Sequence, residues 1–133
     1  MGDPETEVVI PRLQTDLVAL LKAAATGQLS AMKVKTDPRT ACTIVAVSGG
    51  YPEHYKKGFT ISGLEAAAGT DVSIFHMGTQ LRDGVIVTSG GRVLCVTAFG
   101  NSVVEAAKHA RSMQEKIQFE GKYFRGDIGF EFN

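Results

Sequence analysis

Between Ala41 and Ala98 the chain is a succession of short apolar, β-branched runs, each stopped by glycine, and a single long helical pattern follows them. The runs cover residues 41–48 ("ACTIVAVS"), 58–61, 72–76, 85–88 and 92–98, and each has the length and composition of a buried strand. Gly49-Gly50, Gly63, Gly69, Asp83-Gly84 and Gly90-Gly91 supply turn residues between them, with a hairpin bend expected at Arg82-Asp83-Gly84-Val85. Strands that arrive as a group, without alternating helices, predict an α+β fold.

The helix after the strands is expected to begin at Asn101 or Ser102, because Ser102 and Glu105 have the spacing of a capping box. Val103, Ala107, Ala110, Met113 and Ile117 form a narrow apolar stripe, and its alanines permit close approach to a sheet. The remaining tail, "FEGKYFRGDIGFEF", predicts an irregular segment or an edge strand.

Ahead of the strands the chain reads as helical. Asp3-Pro4-Glu5 has the order of a helix start, with a capping carboxylate, a proline whose missing N–H is harmless in the first turn, and an acid near the positive helix end. Val8-Val9-Ile10 fits a short strand equally well, and Pro11 closes either element. Leu17, Val18, Leu20, Leu21 and Ala24 recur at helical spacing, predicting a helix over residues 15–26 capped by Thr15 and ended by Gly27. Polar residues and Asp37-Pro38-Arg39 then mark a linker. The expected organisation is an N-terminal piece over 1–30, a linker over 31–40 and a β-rich domain over 41–133.

Composition narrows the function classes. With 133 residues, 44% of them hydrophobic, the chain can build one core, or a small domain carrying part of another. Fourteen basic and fourteen acidic residues cancel without a long run of either sign, which argues against nucleic acid or an anionic membrane as partner. The sequence shows neither an export signal nor an apolar stretch approaching the ~20 residues of a membrane span. Cys42 and Cys95 lack the spacing of a zinc or redox motif and read as buried free thiols, which fits a reducing compartment.

Two glycine-rich segments can carry chemistry. Ser89-Gly90-Gly91 allows the backbone to approach an anion with successive N–H groups open, and Arg92 adds a planar fork suited to phosphate; a hairpin turn with a surface arginine accounts for the same letters. "SGGYPEHYKKG" places Tyr51, Tyr55, Lys56 and Lys57 on a tight loop at a strand end, able to hold an anionic or sugar group, or simply solvated beside a packed tyrosine. Asp3, Glu5 and Glu7 could contribute to a hard-cation site or merely cap a helix. His54, His76 and His109 have no metal-pair spacing, and His76 reads as a satisfied core histidine. Asp127 beside Arg125 reads as a structural ion pair or turn cap, and no nucleophile elbow or nucleotide-binding glycine loop is present.

Taken in order, "GDPETE", "TDLVALL", "SGGYPEHYKKG", "IFHMGT", "VTSGGRVLCVTA" and "YFRGDIGF" resemble the phosphoribosylamine-glycine ligase family of the ATP-grasp superfamily. "GDPETE" is similar to the family motif Arg-(Phe/Leu)-Gly-Asp-Pro-Glu-x-(Gln/Glu), with Met1 in the Phe/Leu position, Thr15 where serine is common and Met77 where alanine is common. The resemblance covers nearly the whole chain but only the last third or so of such an enzyme. It implies that residues 1–30 end the ATP-grasp portion and that a barrel-like sheet, related to the C-terminal domain of biotin carboxylase, follows.

The resemblance further implies a cytoplasmic enzyme of purine biosynthesis that joins glycine to phosphoribosylamine, using ATP and Mg²⁺ to pass through an acyl phosphate. Its metal-binding glutamate and asparagine and its glycine-rich loop precede the matched region, so the 133 residues alone are expected to be inactive and to bind neither ATP nor Mg²⁺. Arg92 is the implied contact for the substrate 5′-phosphate, with Gly90 and Gly91 giving close backbone approach. Gly2 and Asp3 are implied near the amine or ribose end, Lys57 and Tyr51 are further candidates, and Arg125 and Asp127 are assigned to fold closure. The alternatives are a module that binds sugar phosphates without turnover and a purely structural cover.

Overall fold

The structure, a computed structural model, describes residues 2–68 and 70–132; Met1 and the turn expected at Gly69 lie outside them. Its elements are α1 (Thr6–Val9), α2 (Leu17–Ala25), β1 (Thr40–Val47), β2 (Val72–His76), β3 (Thr79–Arg82), β4 (Val85–Thr88), β5 (Arg92–Gly100), α3 (Val103–Lys116) and β6 (Tyr123–Phe124). Four strands form an antiparallel sheet in the order β2-β5-β1-β6, while β3 and β4 make a separate two-stranded ribbon. The α+β class follows directly.

Parity along β1 explains how the sheet buries itself. Cys42, Ile44 and Ala46 are buried and, with their β5 neighbours Ala98, Val96 and Leu94, pack on Ala106, Ala107, Ala110, Met113 and Ile117 of α3. Small residues on the helix let it lie close, so the expected stripe is right, although Ala106 and Gln114 also belong to the buried face. β6 pairs only with Ala46 and Val47, and the buried Gln114 side chain donates to the Ile44 carbonyl at 2.7 Å, satisfying the ladder where β6 has ended. At the end of α3, the Lys122 ammonium donates to the Gln114 and Ile117 carbonyls and lies 5.1 Å from the Phe124 ring centre.

The second face of the sheet carries Thr43, Val45 and Val47, half-buried, and α1 touches it where the Thr97 hydroxyl donates to the Glu7 carbonyl at 2.8 Å. Near its start, β5 departs from regular pairing. Ala46 opposes Leu94 but Val47 opposes Arg92, so Val93 is an extra residue, a β-bulge. Were residues 92–94 paired regularly, Arg92 would share the helix-side parity of Leu94 and Val96; the bulge instead sets Arg92 opposite Val47, on the second face.

Several local expectations are corrected. Asp3 does not cap α1: Glu5 holds the cap position without a side-chain bond, and the Thr6 N–H and hydroxyl both donate to the Gly2 carbonyl, at 3.2 and 2.6 Å. Val8 and Val9 are helical. The cap of α2 is Asp16, whose carboxylate accepts from the Ala19 N–H at 2.6 Å, because the Thr15 hydroxyl is engaged by the linker, accepting from the Lys35 N–H at 2.7 Å. Gly27 ends α2 with φ +69, as its position predicts.

Residues 58–61 are not a regular strand but do lie along β4, through the Thr60–Val87 bridge and backbone bonds from the Gly58 N–H to the Thr88 carbonyl, the Thr88 N–H to the Phe59 carbonyl and the Ile61 N–H to the Ile86 carbonyl, at 2.7, 2.8 and 2.9 Å. His76 is exposed rather than buried, with Nδ1 2.9 Å from the Thr79 hydroxyl. The hairpin bend is present, with φ +49 at Asp83 and +79 at Gly84, but its upstream arm is β3. Ser102 caps α3 through the Glu105 N–H at 3.2 Å, and the Glu105 carboxylate returns to the Asn101 N–H at 2.7 Å. Cys42 and Cys95 are buried free thiols.

Candidate functional site

The bulge in β5 positions the first functional side chain. Arg92 opens into a groove of about 360 Å³ on the second face of the sheet, whose floor is Thr43, Val45 and Val47 of β1 with Pro4, Phe124 and Ile128. Its rim carries Tyr51, Tyr123, Arg92 and Arg125. Apolar floor and cationic rim together suit a ligand with a carbon body and an anionic end.

Asp3 does not itself line the groove but reaches Arg92 from the other end of the chain. Its carboxylate lies 3.0 Å from the Arg92 guanidinium, and both side chains remain about two-fifths exposed, at 45% and 41%. The ion pair holds the planar guanidinium in one orientation through a single nitrogen, which leaves other N–H groups of Arg92 available.

Tyr51 belongs to the groove through a glycine. Gly91 is buried, and a methyl group there would stand 2.8 Å from Tyr51 Cε2 and 3.1 Å from Tyr55 Cε1. Gly91 is therefore required by aromatic packing, and the two rings lie 6.2 Å apart between centres. Gly90 faces backbone: the Ser89 and Gly90 N–H groups both donate to the Gly78 carbonyl, at 2.8 and 3.1 Å, and the Gly90 carbonyl accepts from the Ser48 hydroxyl at 2.9 Å. The open run of N–H groups expected at Ser89-Gly90 is thus absent, because the ribbon and sheet consume it.

The other sequence candidates fall outside the groove lining. Lys57 lies 5.6 Å from the Tyr55 ring centre, one aromatic ring removed from the rim. Gly2 is exposed and spends its carbonyl on Thr6. Among the described residues no group of three or more His, Cys, Asp or Glu is arranged to hold a metal ion.

Sequence reasoning missed Tyr123 and placed Arg125 elsewhere. Arg125 does pair with Asp127, at 2.9 and 2.8 Å, and this contact holds the Asp127 carboxyl below its usual range and the guanidinium above its own. The available signal was parity: if one face of β1 is core, its alternate residues build a second face, and whatever flanks that face is exposed to ligand.

A second polar cluster secures the segment ahead of β1. Arg39 grips Asp37 through Nε and Nη2, at 3.0 and 2.7 Å, also pairs with Asp71, and stacks 4.7 Å from the Phe99 ring centre. The Arg12 guanidinium donates to the Asp37 carbonyl at 3.0 Å, so the stretch carrying Asp3 is tied to β5. The bond to Arg39 holds the Asp37 carboxyl down at about 2.

The family model for the phosphoribosylglycinamide synthetase C domain matches residues 41–131 of this sequence. The chain belongs to that family. The phosphoribosylglycinamide synthetase C domain accounts for the sheet, α3 and the tail, and the similarity extends beyond it. The chain is 49% identical over 129 residues to a phosphoribosylamine-glycine ligase of Pseudomonas syringae pv. tomato, covering 97% of this chain and 30% of that protein. It is 45% identical, with the same coverage, to the ligase of that name from Vibrio cholerae. The crystal structure of the phosphoribosylamine-glycine ligase of Thermotoga maritima superimposes with a TM-score of 0.72 at 32% identity, covering 96% of this chain and 31% of that one. The chain thus spans about 30% of the length of these curated relatives.

Proposed function

We propose that the chain is the C-terminal part of a ligase that joins glycine to phosphoribosylamine with ATP, in purine biosynthesis, and that its groove receives the phosphorylated sugar. The observation that carries this reading is the Asp3–Arg92 pair at the groove, which joins the "GDPETE" segment to the strand start "GGRVLCV". Arg92 takes the 5′-phosphate, Asp3 lies toward the amine or ribose, and Tyr51 bounds the sugar. Gly90 and Gly91 shape the approach, while Gly2 and Lys57 act from outside the groove.

Residues 1–30 end the ATP-grasp portion, 31–40 link, and 41–133 form the family's C domain. Bridges from Thr60 to Val87 and from Ser62 to Gln118 continue the pairing beyond the ribbon, which supports a barrel-like wrap. In this reading ATP and Mg²⁺ are bound by portions of the ligase that this chain does not span, and the enzyme works in the cytoplasm.

The test is complementation in vitro. The chain is joined to the preceding portion of the Pseudomonas syringae ligase, and ATP consumption that requires both glycine and phosphoribosylamine is measured. Activity in the joined protein, with KM for phosphoribosylamine raised in Arg92→Ala, supports the reading; activity from the isolated chain, or an unchanged KM, overturns it.

A second reading is a module that binds sugar phosphates without turnover, which the cationic and aromatic lining by Arg92, Arg125, Tyr51 and Tyr123 would serve. Titration of the isolated chain with glycinamide ribonucleotide separates the two, since tight binding lost in Arg92→Ala would favour the self-sufficient module.

A further inference from the structure

Arg125 is unexplained by fold closure. Its partner Asp127 is two residues away, and both side chains are more than half exposed, at 58% and 57%, so the pair bridges no distant elements. Exposed local pairs of this kind contribute little to stability. The carboxylate does fix the guanidinium: bonds from Nε and Nη2 hold its plane, and Nη1 is left uncommitted. That oriented fork lies on the rim of the groove that also contains Arg92.

We infer that Arg125 is a second anion-binding residue of the groove, acting with Arg92 on one phosphomonoester, and that Asp127 is its positioning residue. The inference rests on the reading of Arg92 as a phosphate contact. Two guanidinium groups on one anion match a terminal phosphate, which presents three oxygens and a second negative charge, better than a carboxylate with two oxygens and one charge. The apolar floor below excludes water from one side, which strengthens such contacts. Each cation is already paired with a carboxylate, so a monoanion gains little, while a dianion can engage the free edges of both. Tyr51 and Tyr123 flank the floor and suit a sugar ring carried by that phosphate.

The experiment uses the chain with ribose 5-phosphate, ribose and inorganic phosphate as probes, followed by amide chemical shifts at tens of millimolar. Ribose 5-phosphate is expected to shift groove residues, ribose alone to leave them unmoved, and phosphate to shift only the rim. Arg125→Ala should weaken ribose 5-phosphate about fivefold or more. Arg125→Lys should recover part of the loss, and Asp127→Asn should weaken binding less than Arg125→Ala, each without lowering the unfolding midpoint appreciably.

If Arg92→Ala abolishes binding while Arg125→Ala leaves it unchanged, the two-arginine site is overturned and the Arg92 reading stands. If Arg125→Ala weakens binding and Arg92→Ala does not, the shared site fails along with the Arg92 reading. An absence of groove shifts with ribose 5-phosphate overturns both.

Discussion

The Arg92 guanidinium stands 3.0 Å from the Asp3 carboxylate, joining the first described residues to the start of the central strand. Neither side chain is buried enough for the pair to matter greatly to folding, and exposed ion pairs are worth about 0–1 kcal/mol. Asp3→Asn is therefore expected to leave the urea midpoint nearly unchanged while strengthening inorganic phosphate binding at Arg92, because a competing anion has been removed. A shift titration of both proteins checks this, and weaker phosphate binding in the variant would contradict it.

Glycine substitutions should rank by what they strike. At Gly91 a methyl group meets the Tyr51 and Tyr55 rings, which can yield, and about 1–3 kcal/mol of destabilisation is expected for Gly91→Ala. At Gly78 the obstacle is backbone, including Gly90 Cα at 2.7 Å and the Arg92 carbonyl. Gly78→Ala should cost more than Gly91→Ala in urea unfolding, and the reverse order would refute the packing described.

Gln114→Leu removes the side-chain donor at the Ile44 carbonyl, in a helix face that packs on the sheet. An unsatisfied buried acceptor costs about 1–3 kcal/mol. Equilibrium unfolding should show that loss, with hydrogen exchange quickening first along β1.

Burial pushes the Cys95 thiol up to about 11, from 9.0, and raises Cys42 as well. Thiol reagents at pH 8 should leave both residues unmodified in the native chain and label both in urea. A thiol whose pKa is higher in the folded state lends stability that is complete below the unfolded value. Stability should therefore decline as pH rises from about 9 toward 11, and Cys95→Ala should flatten that decline.

Asp37 titrates with the opposite sign. Its pKa is lowered from 3.8 to about 2, chiefly by the hydrogen bond from Arg39, so its stabilising contribution is present above pH 4 and disappears as pH falls through about 2. Amide exchange in residues 12–37 should quicken across that interval before β5 loosens, and Asp37→Asn should show the faster exchange already at neutral pH.

Local chemistry was legible where local chemistry decides. Ser102 and Glu105 need only each other's turn to form a capping box, and β2 and β4 match their apolar runs residue for residue. Misreadings arose where a distant partner outbid a near one. Thr15 and Asp16 can both cap a helix, and Lys35 settles the choice by occupying the threonine. Asp3 can cap α1, but Arg92 takes its carboxylate. Residues 58–61 have strand composition yet pair irregularly with β4, the Phe59 N–H going to the Thr88 hydroxyl. Of the site, Arg92, Asp3 and Tyr51 were within reach as residues; the groove was not, since it exists only once β1 has a second face and Pro4, Tyr123 and Arg125 converge on it.

The extra residue at Val93 turns chain length into chemistry. With all of 92–94 in regular pairing a guanidinium would meet the alanine-lined side of α3, whereas with Val93 removed Arg92 would still oppose Val47, so the bulge is what lets the extra residue stay without turning the arginine inward. Deletion of Val93 is thus expected to spare phosphate binding at Arg92 while lowering the unfolding midpoint, since a fully buried side chain is lost.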